Sequence, residues 1–131
     1  MAILDTAALI DLQRGKPEVK KLLERLEERR DEPKIGAPTV QELIRGAHGS
    51  INPKKELEKL EMIFGGVTIL PFTGSTAKTA GRIQAELDKA GTPIGLMDVQ
   101  LAAIAKTADE RIITRNTKHF SAIRGLTVES Y

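Results

Sequence analysis

The sequence predicts an α/β domain: a central, mainly parallel sheet of four to five strands with helices on both faces. Short apolar or β-branched runs (AIL, KIGAP, VTILPF, ERIITRN, LTV) alternate with longer stretches of helical spacing. No repeat, low-complexity tract or linker divides the 131 residues, so 1–131 is read as one domain, long enough to build a core.

Taken in order, AIL is a strand and AALIDLQRG a helix ended by Gly15. KPEVKKLLERLEERRDEPK places Val19, Leu22, Leu23 and Leu26 at i, i+3, i+4 and i+7, an amphipathic helix started after Pro17 and stopped before Pro33. Its charged face reads as solvated and laced with i,i+4 pairs. KIGAP is a short strand and TVQELIRGAHG a helix closed by glycine. Asn52 to Phe64 is helical, with Leu57, Leu60, Ile63 and Phe64 on one side. After Gly65-Gly66, the β-branched VTILPF reads as a buried strand. STAKTAGRIQAELDKAG is a helix ended by Gly91, and LMDVQLAAIAKTAD a second, Ala-rich and able to pack closely. ERIITRN is a strand with its exit loop, and LTV a last short strand.

Composition narrows the chemistry. The chain has no cysteine, which removes disulfides, thiolate metal sites and thiol nucleophiles. Ser50, Ser75, Ser121 and Ser130 stand in no Gly-x-Ser-x-Gly elbow, so acyl transfer has no support. No signal-peptide pattern and no bilayer-length apolar run is present, and a cytoplasmic location is expected. The 20 Lys+Arg stand against 18 Asp+Glu, a net of +2, too small to argue for nucleic acid. With three acids taken up by a metal the balance becomes 20 against 15, or +5, mildly suited to a polyanion. Three Phe, one Tyr and no Trp make a base-stacking platform improbable.

Ligands in such sheets sit beyond the carboxyl ends of the strands. Asp5 follows the first strand, Glu42 lies in the first turn of the helix after the second, Asp98 begins the Ala-rich helix, and Asn116 follows RIIT. Three carboxylates and an amide oxygen converging there form a hard-oxygen set suited to Mg²⁺ or Mn²⁺ rather than zinc. Each acid has a plainer reading. Asp5 can cap AALIDL, Thr39-Val-Gln-Glu42 has the form of a capping box, and Asp98 suits a helix N-terminal dipole. Asp11, on the helix after Asp5, is expected on the surface, and His48 is expected to cap a helix end.

The blocks LDTAALIDL, PTVQELIRGA, GRIQAELDKAGTPIGLMDVQLAAIA and TRNTKHF, followed by GLTVES, resemble in order and spacing the VapC-type toxins of the PIN-domain family. The similarity covers essentially the whole chain and is most specific from Gly81 to Ala105. It implies a Mg²⁺- or Mn²⁺-dependent endoribonuclease that hydrolyses RNA phosphodiester bonds by metal-activated water. It also implies the toxin half of a type II toxin-antitoxin system, a homodimer, and a cognate antitoxin partner. The metal-binding acids implied are Asp5, Glu42 and Asp98, with Asn116 at the fourth position and Thr6 and Thr114 as flanking polar residues. Arg82, Arg115 and Lys118 are candidate contacts to RNA phosphates, each balanced against a solvated side chain or surface ion pair.

Two positions depart from the family pattern: Ala7 stands where Asn or Ser is common, and His119 where an acid is frequent. Packing or a loop hydrogen bond is the plainer role for His119. Rival classes fare worse. A phosphoacceptor receiver needs an Asp at the end of its central strand, which VTILPFTGS lacks, and a haloacid-dehalogenase-type phosphatase needs an acid at Ala7. The remaining alternative is a non-catalytic PIN scaffold that binds RNA or a protein.

Overall fold

The structure, a computed structural model, describes residues 2–131. In chain order the elements are β1 (Ala2–Leu4), α1 (Thr6–Gln13), α2 (Pro17–Glu28), β2 (Pro33–Gly36), α3 (Ala37–His48) and α4 (Pro53–Gly65). There follow β3 (Thr68–Leu70), α5 (Gly74–Ala90), α6 (Leu96–Thr107), β4 (Arg111–Thr114), α7 (Thr117–Ser121) and β5 (Val128–Ser130). The sheet has the order β3-β2-β1-β4-β5, and every pairing is parallel. β1 is central, which is why AIL is wholly apolar and wholly buried.

Strand alternation sorts the core between the two faces. Ala2, Leu4, Ile35 and Ile113 pack with Leu9, Leu22, Leu26, Leu43 and Leu60 of α1 to α4. On the opposite face Ile3 meets Ile104 and Ala105, and Ile112 packs with Ile83, Leu87, Leu101 and Phe120 of α5, α6 and α7. Adjacent residues of one strand serve opposite cores, as the period of two requires. The alanines of α6 (Ala102, Ala103, Ala105) are fully buried and let this helix lie close to the sheet.

Four readings of the sequence are corrected. VTILPF is not a buried strand: β3 keeps only Thr68–Leu70, pairs with β2 alone at the sheet edge, and leaves Ile69 41% exposed. Its β-branched residues suit any pleated surface, and edge or centre is decided by what lies alongside. KIGAP is split: β2 ends at Gly36, and Ala37 and Pro38 already belong to α3, because proline fits a first helical turn. Gly36 is therefore the N-cap of α3, and the Thr39–Glu42 capping box does not form. The last strand lies at Val128–Ser130, slightly beyond LTV, paired to β4 through Ile112↔Val128. A short α7, not anticipated, follows Asn116 and sinks Phe120 into the second core.

Candidate active site

β1 carries Asp5 to the carboxyl edge of the sheet. Its backbone N–H extends the ladder by donating to Ile113 O at 3.1 Å, and its carboxylate caps α1 by accepting from Ala8 N at 2.8 Å. The capping reading is thus correct, and the cap uses one oxygen of the carboxylate, Oδ1. Asp5 is only 4% exposed. Burial pushes its carboxyl above the ordinary value; hydrogen bonds from Thr114 and Ala8 pull the other way, the nearby Asp98 charge raises it again, Arg115 lowers it, and the net direction is up. The fully buried Thr114 also accepts from Asn116 N at 2.8 Å, so one side chain links Asp5 to the loop after β4.

Asp98 lies in the first turn of α6, and its Oδ2 is 2.9 Å from Nδ1 of His119 on α7. His119, expected to pack or to make a loop hydrogen bond, instead lies on α7 and bonds across to a carboxylate of α6. Glu42 is exposed on α3, in the second turn rather than the first. Thr6 and Thr39, both buried, share a hydrogen bond of 3.1 Å that ties α1 to α3. This bond replaces the capping box and fixes the helix from which Glu42 projects.

Asp5, Thr6, Ala7, Glu42, Asp98, Asn116 and His119 all line one open depression of about 280 Å³, together with Ile10, Gly95 and Met97. The four predicted ligands are thus brought together although they are separated by up to 111 positions (5 to 116). Among the described residues, no three acidic or histidine side chains close around a single point. The donor set is nevertheless of the right kind: hard oxygens, one buried with its charge opposed, around a space wide enough for an ion that keeps several waters, as Mg²⁺ does. Arg82 and Lys118 are exposed and lie outside the lining, while Arg115 points to Asp11. His48 is exposed at the end of α3.

Asp11 corrects the remaining expectation. It is 1% exposed, not a surface residue, and accepts from Tyr131 Oη at 2.8 Å, with Arg115 at 3.1 Å and Lys16 at 3.4 Å. Burial alone would raise its carboxyl, but the Tyr131 and Lys16 hydrogen bonds and the Arg115 charge hold it below the ordinary value. The signal that could have found it is the one that marked Asp5: a carboxylate between apolar neighbours, here Ile10 and Leu12. Lys16 is local, but Arg115 and Tyr131 lie 104 and 120 residues away, beyond local pattern.

A PIN-domain family model matches residues 2–126. The tRNA(fMet)-specific endonuclease VapC of Salmonella typhimurium (strain LT2) is 31% identical over 129 residues, 98% of this chain and 96% of that protein. Ribonuclease VapC2 of Haemophilus influenzae (strain Rd) is 29% identical over the same share of each. Among solved structures, a chain of DNA-bound VapBC from Salmonella typhimurium matches with a TM-score of 0.90 and 31% identity, over 98% of this chain and 96% of that one. A fold match of that quality, a relative above 30% identity over nearly the full length and a family model spanning almost all of the chain agree, and the chain belongs to the PIN-domain family, among its VapC-type toxin ribonucleases.

Proposed function

We infer that this chain is the toxin of a VapBC-type pair, an endoribonuclease that uses Mg²⁺ or Mn²⁺ held by Asp5, Asp98 and Glu42. The observation that carries the reading is the convergence of these acids with Asn116 on one depression at the carboxyl edge of a parallel sheet. A protein antitoxin is its partner in this reading, supported by the VapBC relatives, and a second copy of the chain is a further partner that the family resemblance implies.

When bound, the ion would lower the pKa of a water and neutralise charge on the phosphoryl oxygens. The side chains do the rest. Asp5, immobilised by its cap and by Thr114, lines the pocket with its carboxylate. Asp98 is oriented by His119. Glu42, exposed at the rim, accepts the proton of the attacking water, and the Asn116 amide orients that water or a phosphate oxygen. Arg82, Arg115 and Lys118 are offered to RNA phosphates, whose recognition is largely by charge.

The test incubates purified chain, freed of antitoxin, with total RNA and Mg²⁺ or Mn²⁺, beside Asp98→Asn and an EDTA control. The expected result is cleavage by the parent, at least about a hundredfold less by Asp98→Asn, since even residues that merely orient ligands cost 10–100-fold, and none in EDTA. Equal cleavage by both proteins would place the chemistry elsewhere. No cleavage of any RNA would favour the non-catalytic scaffold.

A further inference from the structure

Asp11 itself has no part in the chemistry above, yet it is a buried carboxylate paired to Arg115, the neighbour of a site residue. Asp5 caps α1 and Asp11 lies six residues further along it, so the two stand about 9 Å apart along the axis at 1.5 Å per residue. Arg115 follows Thr114, which hydrogen-bonds Asp5, and precedes Asn116, which lines the pocket. A side chain as long as arginine at that position has two carboxylates within reach. In the structure its Nη1 lies 3.1 Å from Asp11 Oδ2 and 3.3 Å from Oδ1, and it does not line the Asp5 depression. Tyr131 Oη and Lys16 Nζ take the remaining positions on Asp11, so its carboxylate is held from three sides.

A guanidinium paired to Asp5 would occupy the charge that a metal needs, because a fixed cation beside a carboxylate competes with a mobile one. We propose that Asp11 is a positioning residue that parks the Arg115 guanidinium outside the acidic depression and so keeps Asp5 open to a divalent cation. Nearly half of the Arg115 side chain stays exposed, 45%, so the parked arginine can still meet a phosphate at the rim. Tyr131 completes the clamp by donating to the same Oδ2 that Arg115 approaches most closely. The inference rests on the metal-site reading, and the experiment separates the two.

Calorimetric titration with Mn²⁺ is to be run on the full chain as parent, Asp11→Asn, Arg115→Gln and the double variant. Asp11→Asn keeps the shape of the side chain and an acceptor for Tyr131 but releases the arginine. The expected result is a tenfold or greater loss of Mn²⁺ affinity in Asp11→Asn, restored to within about threefold of the parent when Arg115→Gln is added. A double variant as weak as Asp11→Asn would show that Asp11 supports the fold only and would overturn the proposal, as would a folded Asp11→Asn with parental affinity. Should Asp11→Asn fail to fold, Arg115→Gln and the double variant carry the test: both must bind Mn²⁺ at least as tightly as the parent, and tenfold weaker binding by Arg115→Gln would overturn it. A parent that binds no Mn²⁺ removes the metal site itself, and this inference with it.

Discussion

Asp5 and Asp11 are two buried acids on one helix with opposite electrostatic fates. The surroundings of Asp5 oppose its charge: burial and Asp98 outweigh Thr114, Ala8 and Arg115, so its folded pKa lies above the unfolded value. An acid shifted in that direction works against folding once the pH exceeds its unfolded pKa, and the penalty is complete above its folded pKa. Asp5→Asn removes that penalty while Asn remains a good cap for α1. Melting curves at pH 7 in EDTA should therefore place Asp5→Asn above the parent, and saturating Mn²⁺ should reverse the order. A variant that melts below the parent in EDTA would show that the charge at position 5 is compensated inside the protein. Asp11 shows the reverse sign, since its folded pKa is depressed. Its stabilisation is complete above the ordinary carboxylate range near 4 and is lost as pH falls through the depressed value. Tyr131→Phe removes a hydrogen bond to that charge and should cost about 1.5 kcal/mol, the lower end for charged acceptors because the ring is only half-buried. The urea midpoint at pH 7 measures it, and an unchanged midpoint would show the C-terminal clamp to be energetically idle.

At the scale of elements, the β2–α3 junction shows how a loose reading of boundaries hides a tight constraint. A Cβ on Gly36 would lie 2.7 Å from Leu101 Cδ2 and 3.1 Å from Ile104 Cδ1, both on the buried side of α6. Glycine is needed there for space, not for an unusual φ, which is −92°. Gly36→Ala should therefore overpack the core and cost about 1–3 kcal/mol, read by urea unfolding; a neutral result would mean that α6 yields without strain. The KIGAP run told of a strand, but where β2 gives way to α3 depends on Pro38 accepting a helical position and on α6 pressing against Gly36. Likewise the spacing Thr39-x-x-Glu42 satisfied a capping rule that the backbone does not use. Thr39 instead spends its hydroxyl on Thr6, 33 residues earlier. A motif is local, and its partner in the fold need not be.

Over the whole molecule, the parallel sheet gathers carboxylates from separate segments at one edge, and a cation bound there should stabilise the native state. At an Mn²⁺ concentration about 100 times the Kd, linkage gives about 2.7 kcal/mol, on the order of a 10 °C rise in Tm for a domain of this size. Thermal melts with and without Mn²⁺ check this, and Glu42→Gln with Asp98→Asn together should abolish the rise. An undiminished rise in that double variant would locate the ion elsewhere. The alternation of strands and helices, and with it the two-faced sheet, was legible because burial on both faces demands short apolar runs such as AIL and the Ile112-Ile113 pair of RIIT. The edge position of β3 was less legible, since the β-branched Val67, Thr68 and Ile69 suit edge and centre alike and only Pro71 hints at an edge.

The sequence by itself determined the class of fold, through periodicity, and it nominated four site positions with hard oxygens, through residue type, the rule that ligands meet strand ends and the family resemblance. Only the tertiary structure decided which oxygens are free and which are used. It showed Asp5 serving as cap and pocket wall at once, His119 bound to Asp98, and Arg115 turned away to a buried Asp11 that had looked like a surface residue. The reason is physical: the charge state and direction of a buried side chain depend on groups brought within 3–4 Å by the fold, and here the groups that local pattern could not supply, such as His119 for Asp98 and Tyr131 for Asp11, come from 21 and 120 residues away.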